Sequence, residues 1–347
     1  MTSKIKLWAA FLAGSAATAA VACGGGGTTA TTSAATGSGG ATGSGSGATT
    51  SSAGSGGATT STTGTTGSGG SVASAKVFII LMENHNWVDI KGSAKAPFIN
   101  GLLATGAHAE QYKNPPGNHP SEPNYIWLEA GSNLGVTNDL PPSFNSQKTT
   151  AHLVTQLEKA GHTWKSYQED IDGLTCPLDG VGKYAPKHNP MIFFEDITDG
   201  NSSTSQHCIS HVRPYTELAA DLGTNKVADY NFLTPNLCND THDSCAPQND
   251  PIKQGDDWLA VQVPVLLASQ AYADGATVFI TWDEGELSDG PIGMIVLGKS
   301  VKVGFTSNTP FDHSSTVRTM QDIFGLSPYL GGAATATNLS ELFTKLP

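Results

Sequence analysis

The sequence predicts an α/β fold, a three-layer sandwich with helices on both faces of a mostly parallel central sheet. Short apolar runs rich in β-branched residues recur along the chain, helical patterns fall between them, and polar pairs competent to bind metal stand directly after two of the runs. Runs of this length, apolar on both faces, fit interior strands of a parallel sheet. Strands that alternate with helices build layered α/β domains.

The elements follow in order. Residues 77–82 read Val-Phe-Ile-Ile-Leu-Met between Lys76 and Glu83, the first strand. Residues 151–160 carry Leu153, Val154 and Leu157 on one helical face and stop at Gly161. A strand is expected near Trp164, after which Tyr167, Glu169 and Asp170 stand within reach of a pocket or pack as structure. Residues 258–272 form a helical pattern that Pro264 is expected to kink or split. Residues 277–282 (Thr-Val-Phe-Ile-Thr-Trp) and 293–297 (Gly-Met-Ile-Val-Leu) are two further interior strands. Residues 314–324 carry Val317, Met320 and Phe324 and stop at Gly325. There is no internal repeat.

The segment before this domain reads differently. Lys4 and Lys6 precede an apolar stretch to Ala22, and Ala20-Val21-Ala22 sets small residues before Cys23, the pattern of a secretory signal over residues 1–22. Ala-Val-Ala-Cys resembles a bacterial lipobox, which implies a lipidated Cys23, an N-terminal anchor as the only membrane contact, and a cell-surface or outer-membrane location. Ala20 in place of the usual Leu leaves plain cleavage and release open. Residues 24–75 hold no charge, only Gly, Ser, Thr, Ala and one Val. So little apolar surface cannot offset ordering entropy, and residues 23–75 are expected to be a disordered tether. The domain, 76–347, then holds every charge except Lys4 and Lys6, 16 basic against 30 acidic. That balance excludes a nucleic-acid binder, which needs clustered Lys and Arg. No apolar run reaches the roughly 18 residues that span a bilayer.

Beyond Cys23 there are four cysteines, an even number suited to an oxidising compartment. Cys176 with Cys208, and Cys238 with Cys245, close short local loops and are the favoured pairs, although three connectivities exist. A four-cysteine zinc site lacks the C-x2-C pairs it needs.

Ligands of open α/β sheets bind outside the carboxyl ends of strands, and there Glu83-Asn84 and Asp283-Glu284 stand. His119-Pro120-Ser121-Glu122-Pro123 places Ser121 to cap a helix, with Pro123 in its first turn. A serine so placed has backbone N–H groups aimed at its oxygen, which favours an alkoxide or a bound phosphate. No G-x-S-x-G elbow is present. Asp240 and His242, two apart in a loop that Cys238–Cys245 would cinch, can converge on one ligand. His313 immediately precedes the last helix. His85, His108, His152, His162, His207 and His211 read as structural.

Ile80-Leu81-Met82-Glu83-Asn84-His85, the His-Pro-Ser-x-Pro-Asn-Tyr stretch, Pro235-Asn236-Leu237-Cys238-Asn239-Asp240-x-His242-Asp243, Ile280-Thr281-Trp282-Asp283-Glu284-Gly285 and Asp312-His313 occur in that order. Together they resemble the bacterial acid phosphatase / phospholipase C phosphoesterase family, a branch of the alkaline phosphatase superfamily, over about residues 76–330. Lys187-His188-Asn189-Pro190 resembles a further family block. The resemblance implies an alkaline-phosphatase-like fold and a divalent metal ion held by Glu83, Asn84, Asp283 and Glu284. Ser121 would be both ligand and nucleophile. His313, His242, Asp240, His119 and His188 would line the phosphate pocket or complete a metal site, with Ser121, His313, His119 and His242 carrying catalysis. Hard oxygen ligands suit Mg, Ca or Mn, and the histidines admit Zn or Fe. Tyr125 stands where a sulfatase pattern has Arg, which argues against sulfatase activity.

The expected activity is phosphoric-ester hydrolysis through a phosphoserine, with a phosphate ester or phospholipid as substrate. A phosphomonoesterase of acid phosphatase type leads; a phospholipase C or other phosphodiesterase is the first rival, and a catalytically inactive surface binding lipoprotein the second. Intact Glu83, Ser121, Asp283 and His313 weigh against the last. Substrate choice is expected to lie in residues 140–147 and 174–194, and neither the substrate nor the oligomeric state is readable from residues.

Overall fold

A computed structural model describes residues 75–286 and 289–347. The expected signal segment, Cys23 and the tether lie outside the described residues, apart from Ala75. Among the described residues ten strands occur in the order β1 (Val77–Met82), β2 (Ala107–Ala109), β3 (Tyr112–Lys113), β4 (Trp164–Gln168), β5 (Val212–Pro214), β6 (Tyr230–Thr234), β7 (Thr277–Trp282), β8 (Met294–Leu297), β9 (Thr306–Ser307) and β10 (Phe311–Asp312). Eight form one sheet, ordered β5-β4-β6-β1-β7-β8-β2-β9, and β3 pairs with β10 apart from it.

Every residue of β1 and β7 is buried, so both faces of the sheet centre are covered. The helices fall into two packed groups. Ser121–Ala130, Leu153–Lys159 and His313–Phe324 contact one another, and Pro251–Leu267 packs with Pro97–Leu102 and Gln270–Ala273. This is the mixed α/β architecture expected, built on a large, mostly parallel sheet.

Two expectations about elements are corrected. The strand at 293–297 is interior but antiparallel: β8 runs against β7 and β2, while the remaining strands of the sheet share one direction. Eleven residues separate Trp282 from Met294, too few for the crossover of a dozen or more that a parallel neighbour needs. Pro264 does not split its helix, which begins earlier than expected and runs unbroken over Pro251–Leu267. Pro264 itself is exposed, and the carbonyl it leaves without an N–H belongs to half-buried Ala260, one turn earlier. The break comes at Ser269, whose hydroxyl accepts the Tyr272 N–H and caps Gln270–Ala273.

Register positions the site. Val77 pairs with Tyr230 on one side and Thr277 on the other, and Met82 lies beside Trp282. β6, β1 and β7 therefore start level, and the residues that follow β1 and β7 emerge side by side.

Candidate active site

β1 delivers Glu83 and Asn84, β7 delivers Asp283 and Glu284, and β6 leads through a turn to Asp240. Glu83, Asp240 and Asp283 are wholly buried. The backbone locks them together: Asp283 N–H donates to Met82 O and Glu83 N–H to Asp240 O. Asn84 adopts φ 43°, a left-handed conformation that asparagine tolerates, and its N–H donates to Asp283 Oδ1 at 3.0 Å. Thr241 stands at φ 81°, which costs a β-branched residue of order 1–3 kcal/mol. Its hydroxyl donates to Glu83 O at 2.5 Å and accepts from Glu83 N–H at 3.3 Å, so the strain pins the 240 loop to the end of β1. A disulfide between Cys238 and Cys245 closes that loop, and a second joins Cys176 to Cys208. Two disulfides fit an oxidising compartment, hence export.

Ser121 opens the helix Ser121–Ala130, but Pro120 holds the N-cap position. The expected capping role is corrected: the buried hydroxyl needs an acceptor and donates instead to Glu83 Oε2 at 3.0 Å. The helix start also offers fewer free donors than expected, since Glu122 N–H donates to Asp139 Oδ1 and Pro123 has none. Positive charge comes from Lys187. Burial works against its ammonium, yet Glu83, Asp139 and Asp283 hold it above its ordinary range, and it sits 3.0 Å from Asp139 Oδ2.

The acids stand in an unfavourable environment. Burial, then Asp283 and Asp240, push the Glu83 carboxyl well up. Burial raises Asp240 despite the His242 N–H that bonds it, and burial with Glu284 raises Asp283. Three buried carboxylates ionise together only beside a cation. Glu83 Oε1, Asn84 Oδ1, Asp240 Oδ2, Asp283 Oδ2 and His188 Nε2 are all buried without a hydrogen-bond partner. His188 Nε2 lies 3.1 Å from Glu83 Oε1, and Nδ1 3.2 Å from Asp240 Oδ2. Burial pushes this imidazole well below its ordinary range, so it is neutral and ligand-like, stacked on Tyr125 at 5.0 Å. The donor set fits a divalent cation.

The other histidines divide. His119 Nδ1 lies 2.6 Å from Glu284 Oε2, and Nε2 2.8 Å from Asp289 Oδ1. Burial opposes its charge, but the bond to Asp289 and the charge of Glu284 raise its pKa. Glu284 Oε2 also accepts from Asn124 of the Ser121 helix at 2.9 Å. His242 N–H donates to Asp240 Oδ1 at 2.8 Å, and its ring lies 5.8 Å from that of His188. His313, expected among the catalytic residues, packs behind the residue that follows β7. It is fully buried; Nε2 donates to Asp283 O at 2.6 Å, and Nδ1, facing the Tyr112 hydroxyl at 3.0 Å, accepts from it. Burial lowers its pKa, so it stays neutral with both nitrogens engaged.

Tyr167, Glu169 and Asp170 stay outside the cluster. Tyr167 donates to Asp221, while Glu169 accepts from Asn236, Asn239 and Trp258 and braces the turn before Asp240. Asp170 accepts from Asn236. Lys187, Asn124 and Thr241 were not singled out by residue type. Lys187 had a signal, a base beside His188 in an acidic domain; Thr241 had none, because its backbone conformation is not written in its identity.

The phosphoesterase family model matches residues 83–327, and the chain belongs to that family. A phosphatidylinositol-3-phosphatase of Mycobacterium tuberculosis is 30% identical over 270 residues, covering 78% of this chain and 83% of that protein. A phosphate-repressible acid phosphatase of Penicillium chrysogenum is 28% identical over 235 residues, 65% of this chain; the match spans 53% of the fungal protein. The solved phosphonate monoester hydrolase of Silicibacter pomeroyi shares the fold, with TM-score 0.51 and 12% identity over 79% of this chain and 77% of that one. The chain is a hydrolase of phosphoric ester bonds.

Proposed function

We propose that this phosphoesterase is a metal-dependent phosphomonoesterase of acid phosphatase type, with Ser121 as the nucleophile that becomes phosphorylated. The observation that carries this reading is the Ser121 hydroxyl, buried at a helix start and bonded to Glu83 within a cluster of partnerless carboxylate oxygens. When bound, a divalent cation held by Glu83, Asn84, Asp240, Asp283 and His188 would neutralise phosphoryl oxygens and ease ionisation of the serine.

The chain's own groups do the rest. Glu83 Oε2 orients the Ser121 hydroxyl for in-line attack on phosphorus. The Lys187 ammonium faces the charge that accumulates on the transferring phosphoryl group. His119, protonated between Glu284 and Asp289, supplies the proton the leaving alkoxide needs. His313 carries no proton to substrate; its bond to Asp283 O sets the β7 end in register with β1.

The relatives' names both describe removal of a phosphate monoester, which is why we place monoesters before diesters. A phosphoinositide headgroup is a second reading, favoured by the exposed Leu140, Phe144, Leu174 and Val181 on the two segments expected to choose substrate. Export with a lipidated Cys23 would hold the domain at a membrane surface, facing such substrates.

The test is hydrolysis of p-nitrophenyl phosphate and p-nitrophenyl phosphorylcholine by the full chain, with and without EDTA, beside Ser121→Ala. Monoester turnover that EDTA abolishes, that added metal restores and that Ser121→Ala lacks is expected. Diester turnover alone would move the assignment to a phosphodiesterase. No turnover of either, with metal restored, would leave a binding protein.

A further inference from the structure

A second group of ligand-type side chains lies far from Ser121. Glu158 on Leu153–Lys159 faces His207 and His211, one turn apart on Gln206–His211, and the donor atoms of all three lie within 4.8 Å of one another. Among the described residues this is the trio of histidine and carboxylate donors drawn so closely together. Trp164, which starts β4, donates to Glu158 Oε1 at 2.8 Å and aligns through β6 with Val77. Five residues at about 3.3 Å each separate that level from Met82, so the trio lies about 17 Å down the sheet, toward its opposite end.

The arrangement has the form of a built metal site. His207 Nδ1 donates to Asp196 O at 3.1 Å and His211 Nδ1 to His207 O at 2.9 Å, with Ser210 Oγ 3.0 Å from the latter nitrogen. Carbonyls only accept, so each ring donates from Nδ1 and turns Nε2 toward Glu158; His207 Nε2 donates to the Glu158 carboxylate, a proton that a bound cation would replace. That outer-layer pattern is the one that orients metal-bound histidines. Glu158 Oε1 lies 2.7 Å from His207 Nε2 and 3.9 Å from His211 Nε2. Two ligands at about 2.0–2.2 Å from a tetrahedral ion stand roughly 3.4 Å apart, midway between these separations. The bearing helix is itself anchored, since Cys208 between the histidines is disulfide-bonded to Cys176 and Ser205 caps the helix start. The Trp164 ring stacks on His211 at 4.5 Å. The three side chains remain about one third exposed, which leaves an ion a path in and room for a water.

We propose that Glu158, His207 and His211 form a second metal site, independent of the phosphoesterase centre, for a divalent first-row transition ion of which zinc fits best. Two imidazoles and one carboxylate disfavour Mg and Ca, which take all-oxygen shells. The ion would staple two helices at the end of the sheet remote from catalysis.

The experiment compares zinc stoichiometry of the metal-stripped full chain, by equilibrium dialysis, with Glu158→Gln and with the His207→Gln, His211→Gln double variant. The expected result is one equivalent fewer in each variant, with p-nitrophenyl phosphate turnover retained. Filling this site adds about 5 °C to Tm at a hundredfold excess over its Kd, and the variants lose that contribution. Equal stoichiometry in all three proteins overturns the proposal. If the variants fold poorly, zinc-edge anomalous diffraction from zinc-soaked wild-type crystals decides: a peak among the three side chains supports it, and no peak there overturns it.

Discussion

His152 and His188 are both buried between two carboxylates, yet the two clusters differ in charge. His152 Nδ1 lies 2.9 Å from Glu129 Oε1 and Nε2 3.0 Å from Asp196 Oδ1. Val154 N–H and the Thr155 hydroxyl add donors to the same carboxylates. Burial opposes its charge, but the bonds to Asp196 and Glu129 push its pKa up to about 9. His188 has contacts of 3.1 and 3.2 Å to Glu83 and Asp240, but the Glu83 and Asp240 oxygens and His188 Nε2 lack hydrogen-bond partners. Burial, and then the positive charge of Lys187, lower its pKa. One cluster holds an imidazolium bonded at both nitrogens, with Glu129 Oε2 left without a partner; the other holds a neutral imidazole among acids that an added cation would balance. Burial of ionisable groups alone does not mark a site; here what distinguishes the two is several partnerless acceptors gathered around one neutral imidazole, against the single Glu129 Oε2 beside His152.

The sharpest way to break this comparison is one substitution made in each cluster. Glu83→Gln is expected to lower kcat/KM by about a thousandfold, near 4 kcal/mol at 1.36 kcal/mol per factor of ten. The metal-stripped protein should keep or gain stability, because a buried like charge has been removed. Glu129→Gln should cost about 3–5 kcal/mol in denaturant unfolding, as breaking buried ion pairs does, with kcat per folded molecule unchanged. Loss of activity without loss of stability in both would erase the distinction.

A pH series sharpens it further. Because the folded state raises the His152 pKa from 6.5 to about 9, its stabilisation is fully present below about pH 6.5 and is lost as pH rises through 9. The difference amounts to about 3 kcal/mol. Tm should fall between about pH 7 and pH 9.5 more steeply in the wild type than in His152→Asn; parallel curves would show that His152 is not an imidazolium.

A smaller effect tests the packing behind the loop that carries Asp240. The helix Pro251–Leu267 approaches Thr241 at Gly255, where a Cβ would meet Thr241 Cγ2 at 2.2 Å and Met82 Cε at 2.9 Å. Gly255→Ala should therefore cost about 1–3 kcal/mol of overpacking and lower kcat by displacing the 240 loop from Glu83. Full activity with reduced Tm would mean the loop tolerates the shift.

Much of the site was legible because its residues are short-range signals. Glu83 and Asp283 each follow an apolar strand, and Ser121 stands beside a helix-starting proline, so chemistry and place coincide in a few adjacent letters. The disulfides between Cys176 and Cys208 and between Cys238 and Cys245 close short loops and were legible for the same reason. The direction of β8 was less so, because apolar runs read alike in parallel and antiparallel interiors; only the eleven-residue connection carried the answer. His313 was legible as a histidine before the last helix, but its partners Asp283 O and Tyr112, 30 and 201 residues away in the chain, were not. His207 and His211 read as structural because the carboxylate that completes their trio belongs to another helix.

By itself the sequence determined the central strands, the α/β class, the acidic balance of the domain, and the residue types at the strand ends. The tertiary structure decided which histidine is charged, which hydroxyl faces which carboxylate, and which acids lie together. Apolar periodicity and turn chemistry act over a few residues and are written locally. Desolvation and Coulomb interactions depend on whatever the fold brings within a few ångströms, and no residue carries that information alone.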